Sequence, residues 1–266
     1  MTAMTAQIPQ SDRRIEDVQG HWLLARLGKR VLRPGGLELT TRMLARLPLP
    51  GSDVVELAPG IGRTAALIVS SAPAGYIGVD ADPSAAAMVA EVVGRHGRAV
   101  TADASATGLP DGCADVVIGE AMLTMQTDRG KRAIIDEAAR LLKPGGRYAI
   151  HELGLRPDDL DAGIRDELRK DLARTIKVNA RPLTAPEWRE HLAQAGLEVE
   201  WTGFAPMALL QLRRNLADEG FLRVLRIAWN VLTDPGARKR VMAMRRTFVR
   251  HADHLTGIAL IARKPV

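Results

Sequence analysis

Short strand-like runs alternating with helical stretches predict an α/β fold, with a parallel sheet covered by helices on both faces. Three observations carry that prediction. Brief β-branched runs recur after Gly51, each followed by a stretch with helical periodicity. A glycine-containing turn, Ala58-Pro59-Gly60-Ile61-Gly62, stands directly behind the first run. Acidic residues mark successive run ends: Glu56, Asp80 and, just past the third, Asp103. In an open parallel sheet, ligands sit outside the carboxyl ends of the strands, so these ends are where the chemistry is expected.

Residues 1–14 read as a loose tail. Val18, Trp22, Leu27 and Val31 recur at helical spacing and predict a helix over 15–31, stopped by Gly28 and Arg33-Pro34-Gly35-Gly36. A second helix is expected over 37–47, ahead of the turn Pro48-Leu49-Pro50-Gly51. The first strand is 53–57 and its helix 63–71. The second strand, 76–80, precedes a helix that Asp82 caps and Pro83 opens, running to Gly94. Strands follow at 98–101 and 114–118. A helix over 128–142 closes at Lys143-Pro144-Gly145-Gly146, before a fifth strand at 147–152. Leu160, Ile164, Leu168, Leu172 and Ile176 form an i+4 stripe on a charged helix. Thr184 and Glu187 have capping-box spacing and start a helix that reaches Gly196. Residues 197–201 alternate like a strand. Two amphipathic helices follow, one with the stripe Phe221, Val224, Leu225, Ala228, Val231 and Leu232, the other starting at Asp234-Pro235. A last strand is expected over 257–262.

The composition, 46% hydrophobic and 26% charged over 266 residues, excludes a disordered or collagen-like chain. No apolar run reaches the ~18 residues of a membrane span, and the polar start lacks the apolar core of a signal peptide. Cys113 is the single cysteine, so no intrachain disulfide and no cysteine-based metal site is expected; no metal is assigned. A soluble cytoplasmic protein is expected. The net charge is +6, but residues 204–266 carry +8 and the remainder −2. The basic excess therefore belongs to the C-terminal segment. Aromatics make up only 3% of the chain, which leaves few platforms for stacking single-stranded bases.

The Gly60/Gly62 turn lets a backbone approach a ligand closely, and the helix behind it offers free N–H groups to an anionic moiety. Asp80, twenty residues beyond Gly60, is placed to accept from both hydroxyls of a ribose. Asp103-Ala104 could meet an exocyclic amine of a base. Glu120 follows the fourth strand, and His151-Glu152 ends the fifth. The spacing Gly60-x-Gly62-x-x-Ala65 also satisfies a dinucleotide fingerprint, which keeps an NAD(P)-dependent oxidoreductase open at this point.

Val54 to Gly62, Ile77-Gly78-Val79-Asp80, Asp103-Ala104 with Leu109-Pro110-Asp111-Gly112, and Arg140 to Gly146 together resemble the motifs of class I S-adenosylmethionine-dependent methyltransferases. The likeness is to the group that includes quinone-biosynthesis and other small-molecule enzymes. It implies a doubly wound, mostly parallel seven-stranded sheet, its last strand inserted antiparallel between the fifth and sixth. It also implies an N-terminal tail with helices over 1–50, a cofactor-binding core over 51–153, and helical insertions over 154–266 that form a substrate lid. Glu56, Ala58, Gly60 and Gly62 would surround the methionine half of S-adenosyl-L-methionine. Asp80 with Ala81 would hold the ribose, and Asp103 with Ala104 the adenine. Ala58 departs from the family, which usually has glycine there; its methyl group fits if the backbone keeps a negative φ.

The leading expectation is methyl transfer to a small, apolar or heterocyclic acceptor. Glu120 and His151 are the candidate general bases, and His21 and Trp22 the candidate acceptor pocket. An RNA methyltransferase is the first alternative, prompted by the basic segment. However, the Asn/Asp-Pro-Pro-aromatic signature is missing at Gly119-Glu120-Ala121-Met122, and Cys113 precedes the fourth strand, so nucleic acid is disfavoured. A non-catalytic cofactor-binding module is another. The C-terminal helices read most simply as core or lid, with Arg and Lys on the wet face; docking on an anionic membrane surface is a second use. His251 and His254 are expected in solvent.

Overall fold

A computed structural model describes residues 8–207 and 219–266. Its centre is a seven-stranded sheet in the order β3-β2-β1-β4-β5-β7-β6. The strands are β1 (Asp53–Leu57), β2 (Gly75–Asp80), β3 (Arg98–Thr101), β4 (Ala114–Glu120), β5 (Leu142–Leu155), β6 (Glu198–Pro206) and β7 (Leu255–Arg263). β1 to β5 pair in parallel, and β7 runs antiparallel to both β5 and β6. The order turns around at β1, where the chain leaves toward β2 on one side and β4 on the other. That is the switch point at which a crevice opens.

Neighbouring residues on each strand feed opposite faces, as the period of two requires. Val55, Val117 and Ile150 meet Ile135 and Leu141 of α5 (Asp128–Leu141) and Trp188 of α7 (Ala185–Gln194). Val54, Val116 and Ala149 meet the other set: Leu39 and Met43 of α2 (Gly36–Leu44), Ile68 of α3 (Arg63–Ser70), and Val89 of α4 (Pro83–Val93). Buried on both faces, such strands are written almost wholly in Val, Ile, Leu and Ala.

The helix starts follow local chemistry. Asp82 accepts from the N–H groups of Ser84 and Ala85 at 2.8 and 3.3 Å, ahead of Pro83 in the first turn of α4. Thr184 and Glu187 form the reciprocal capping box of α7. The helix expected over 15–31 shortens to α1 (Gly20–Arg26), because Gly28 leaves the helical region at φ +103° and residues before Gln19 turn. The fifth strand is longer than expected, since Gly145 takes a left-handed turn inside it and pairing resumes at Arg147.

Over the carboxyl ends of the strands lie α1, α6 (Ala162–Ile176), α8 (Phe221–Thr233) and α9 (Pro235–Arg250). Leu168 and Leu172 of α6 pack with Leu153, Leu155 and Leu255, and Leu23 and Leu24 of α1 with Ala237 and Met244 of α9. His251, expected in solvent, is instead buried, its Nε2 lying 3.0 Å from Asp171 of α6. The apolar stripe of α8, expected to face the core, is split. Val231 packs against the cluster of Leu23, Leu24, Ala237 and Met244 and Val224 is half-buried, while the rest of the stripe faces outward. Phe221, Leu225 and Leu232 are exposed, and no residue of this helix is buried.

Candidate active site

A cleft of about 250 Å³ opens over the ends of β1, β2 and β4. Glu56, Ala58, Gly60, Asp80, Glu120 and Ala121 line it from the sheet. His21, Trp22 and Leu24 of α1 line it from above, together with Ile176, Met207, Met244 and Phe248. Two alanines of the lining, Ala58 (φ +53°) and Ala121 (φ +54°), hold the left-handed conformation that glycine adopts without cost. The condition set for Ala58, a negative φ, is therefore not met. Its N–H donates to the Val79 carbonyl at 2.7 Å, and the turn keeps the backbone path that glycine would follow. Gly60 (φ +59°) and Gly62 (φ +75°) complete the bend into α3, and a side chain at Gly62 would press on Val92.

Asp80 is held by backbone donors: its Oδ2 accepts from Gly60 N–H at 3.1 Å and its Oδ1 from Asp82 N–H at 3.0 Å. Burial raises its pKa above the usual carboxylate range, although these two hydrogen bonds oppose the rise. Glu56 is more deeply buried. The Tyr76 hydroxyl donates to it at 2.6 Å, and desolvation pushes its pKa up to about 8 despite that bond. Among the described residues Glu56 has no ion pair.

Glu120 has the opposite environment. Its Oε1 accepts from the Thr40 hydroxyl at 2.6 Å and lies 2.9 Å from His151 Nδ1, and its Oε2 accepts from Arg33 and from the Thr64 hydroxyl. Burial resists ionisation, but the Arg33 guanidinium, His151 and Thr40 outweigh it and pull the pKa down to about 2. The His151 ring is fully buried; its Nε2 donates to the Pro34 carbonyl and its Nδ1 faces Glu120. Both nitrogens are thus spent on protein oxygens, and His151 is not part of the cleft lining. Glu152, also buried, accepts from the N–H groups of Met122, Leu123 and Thr124 at 2.8–3.0 Å and from the Thr124 hydroxyl, fixing the turn after β4.

The remaining expected residues divide. His21 and Trp22 stand at the cleft with ring centroids 4.7 Å apart, and burial lowers the His21 pKa to about 4. The cleft lining does not reach Ala81, Asp103 or Ala104. Ala81 is exposed, as is Asp103, whose Oδ1 accepts from the Ser105 hydroxyl at 2.6 Å and N–H at 2.8 Å; these bonds hold its pKa low. Arg33, Thr40 and Thr64 were not singled out from the sequence, where Arg33 read only as part of a helix stop. Their partner Glu120 is 56 or more residues away along the chain, so no local spacing signals the cluster.

Residues 54–146 match the family described as methyltransferase domain, and this stretch holds the Gly60 turn, Asp80 and Glu120. The chain belongs to the class I S-adenosylmethionine-dependent methyltransferases. An uncharacterized protein of Haemophilus influenzae is 31% identical to this methyltransferase over 255 residues, 94% of this chain and 99% of the relative. The fold is shared with the [4+2]-cyclase SpnF at a TM-score of 0.70 and 17% identity, over 94% of this chain and 97% of that one. Phosphoethanolamine N-methyltransferase 2 of Haemonchus contortus, solved with S-adenosyl-L-methionine, gives a TM-score of 0.69 at 18% identity, over 93% of this chain and 57% of that one. At such identities the likeness speaks for the fold alone.

Proposed function

We infer that this methyltransferase passes the methyl group of S-adenosyl-L-methionine to a small, apolar acceptor held between the sheet edge and the helices above it. One observation carries the reading: a single cleft joins the carboxylates of Glu56 and Asp80, beside the Gly60 turn, to a wall of Trp22, Leu24, Met207, Met244 and Phe248. The polar half suits a ligand with a cationic amino-acid end and a sugar diol. Glu56 is a buried carboxyl facing the cleft without an ion pair among the described residues, so a cation arriving there supplies what burial took away. Each Asp80 oxygen spends one lone pair on a backbone N–H and keeps another for a hydroxyl.

The cofactor, when bound, supplies a methyl on a sulfonium already activated for in-line displacement. The protein's work is to hold the acceptor in line, which can remove up to roughly 7–11 kcal/mol of the barrier. The apolar wall excludes water from that line. Glu120 and His151 act as positioning residues, because their hydrogen-bonding capacity is taken up by Arg33, Thr40, Thr64 and Pro34. His21 is the imidazole that lines the cleft; burial lowers its pKa to about 4, which keeps it neutral but a weak base, so it serves as a hydrogen-bonding wall residue.

Isothermal titration with S-adenosyl-L-methionine and its demethylated product tests the reading. Both are expected to bind the wild type. Asp80→Ala, which removes two charge-assisted bonds to the diol, is expected to weaken binding about a hundredfold. A folded wild type that binds neither compound would remove this function.

A further inference from the structure

The outer surface of α8 is the reverse of a packed helix. Phe221, Leu222, Leu225, Ala228, Trp229 and Leu232 share one side at helical spacing, and all of them face solvent. Leu222 is 80% exposed and Trp229 68%. The opposite side is tied to the protein: the Asn230 side chain donates to the Leu27 carbonyl at 3.0 Å, and Ile227 lies against Gly28. A contiguous patch of large apolar side chains on a charged protein marks a surface that something else covers.

Its surroundings say what. Arg226 borders the stripe on the same helix, and Arg238, Lys239, Arg245 and Arg246 are exposed on α9, which packs against α8. The segment from residue 204 onward carries +8. We propose that the outer face of α8, rimmed by Arg226 and the basic face of α9, docks this methyltransferase on an anionic lipid bilayer. The apolar stripe enters the boundary between headgroups and acyl chains, and the guanidinium groups meet lipid phosphates. A second copy of the chain is the poorer occupant, because a two-fold contact there would set two strongly positive segments face to face. Among the described residues no helix is long and apolar enough to cross a membrane, so α8 lies in the interface plane. The proposal stands apart from the identity of the acceptor.

Co-sedimentation of the full chain with phosphatidylcholine vesicles, with and without phosphatidylglycerol, is the test. The protein is expected to pellet with the anionic vesicles and to release as salt rises. Leu222→Ser with Leu225→Ser is expected to lower the partition coefficient about a hundredfold, and Arg226→Gln about fivefold. Far-UV circular dichroism confirms that each variant is folded; none of these side chains lines the cleft. Failure to pellet with either vesicle, or equal binding to both, overturns the proposal. So does a dimer in light scattering that the two serines dissolve, which would make a second copy the occupant.

Discussion

Ala58 and Glu56 sit two residues apart at the end of β1, and each carries a cost that the site explains. At φ +53° the Ala58 methyl group costs about 1–2 kcal/mol relative to an ordinary backbone. Ala58→Gly relieves that strain and adds about 0.5–1 kcal/mol of unfolded-state freedom, so denaturant unfolding should place it within about 1 kcal/mol of the wild type. Ala58→Val, β-branched in the same conformation, should lose more than about 2 kcal/mol; equal stability of the two variants would contradict the assigned conformation. Glu56 predicts a pH dependence. Its folded pKa, about 8, exceeds its ordinary value, so the folded state holds the proton that the unfolded chain releases. Stability should therefore fall as pH rises toward about 8 and level off above it. His21, whose pKa is lowered to about 4, gives the opposite slope, but only below its ordinary value near 6.5. Above about pH 6.5 the His21 slope is gone, but Asp80 and Glu152, also raised by burial, share the sign of Glu56. The difference between wild-type and Glu56→Gln melts therefore reads the Glu56 part, and the variant should be the flatter of the two. Affinity for the cationic cofactor should rise over the same interval in the wild type and stay flat and weaker in the variant. A wild-type melt insensitive to pH there would place Glu56 in a wetter environment than the fold gives it.

The cluster around Glu120 ties five parts of the chain together: the Arg33-Pro34 loop, α2 through Thr40, α3 through Thr64, the end of β4, and β5 through His151. A buried carboxylate stripped of its guanidinium is an uncompensated charge, which costs about 3–5 kcal/mol. Arg33→Met should therefore destabilise by that amount, and Arg33→Met with Glu120→Gln should recover much of it; a double-mutant cycle in urea measures the coupling. Additive losses would mean the pair does not interact. None of this was legible beforehand, because its members meet only through the sheet order. The strands were legible, since a β-branched run bounded by Gly, Pro or Asp has one reading, and β1 and β3 fall where expected. The helix caps at Asp82, Thr184 and Asp234 were readable too, each from its side chain and a following proline. α8 was not: periodicity shows that a helix has an apolar side, but the direction of that side depends on what packs beneath, and here Asn230 and Ile227 point inward.

Residues 1–203 sum to −2 and carry the carboxylates that line the cleft, while residues 204–266 carry +8 and include α9, which lines the same cleft from the other side. Ile176 of α6 and Met244 and Phe248 of α9 line the same space as Glu56 and Asp80, so a ligand filling it touches both regions. Binding should therefore stabilise the molecule as one unit instead of one end of it. Cofactor at about a hundredfold over its Kd adds about 2.7 kcal/mol to the folded state. For a chain of this length that corresponds to a rise of about 5–10 °C in Tm. Asp80→Ala should abolish most of the shift at the same concentration while leaving the unliganded Tm close to the wild-type value. The reason is that, among the described residues, the Asp80 carboxylate bonds only to backbone N–H groups of the turn and the following helix start, and burial already raises its pKa. Hydrogen exchange locates the effect: protection should appear together in the Gly60 turn and in α9. Protection confined to the turn would mean that the helices do not close on the bound cofactor, and that the acceptor side of the cleft is assembled in some other way.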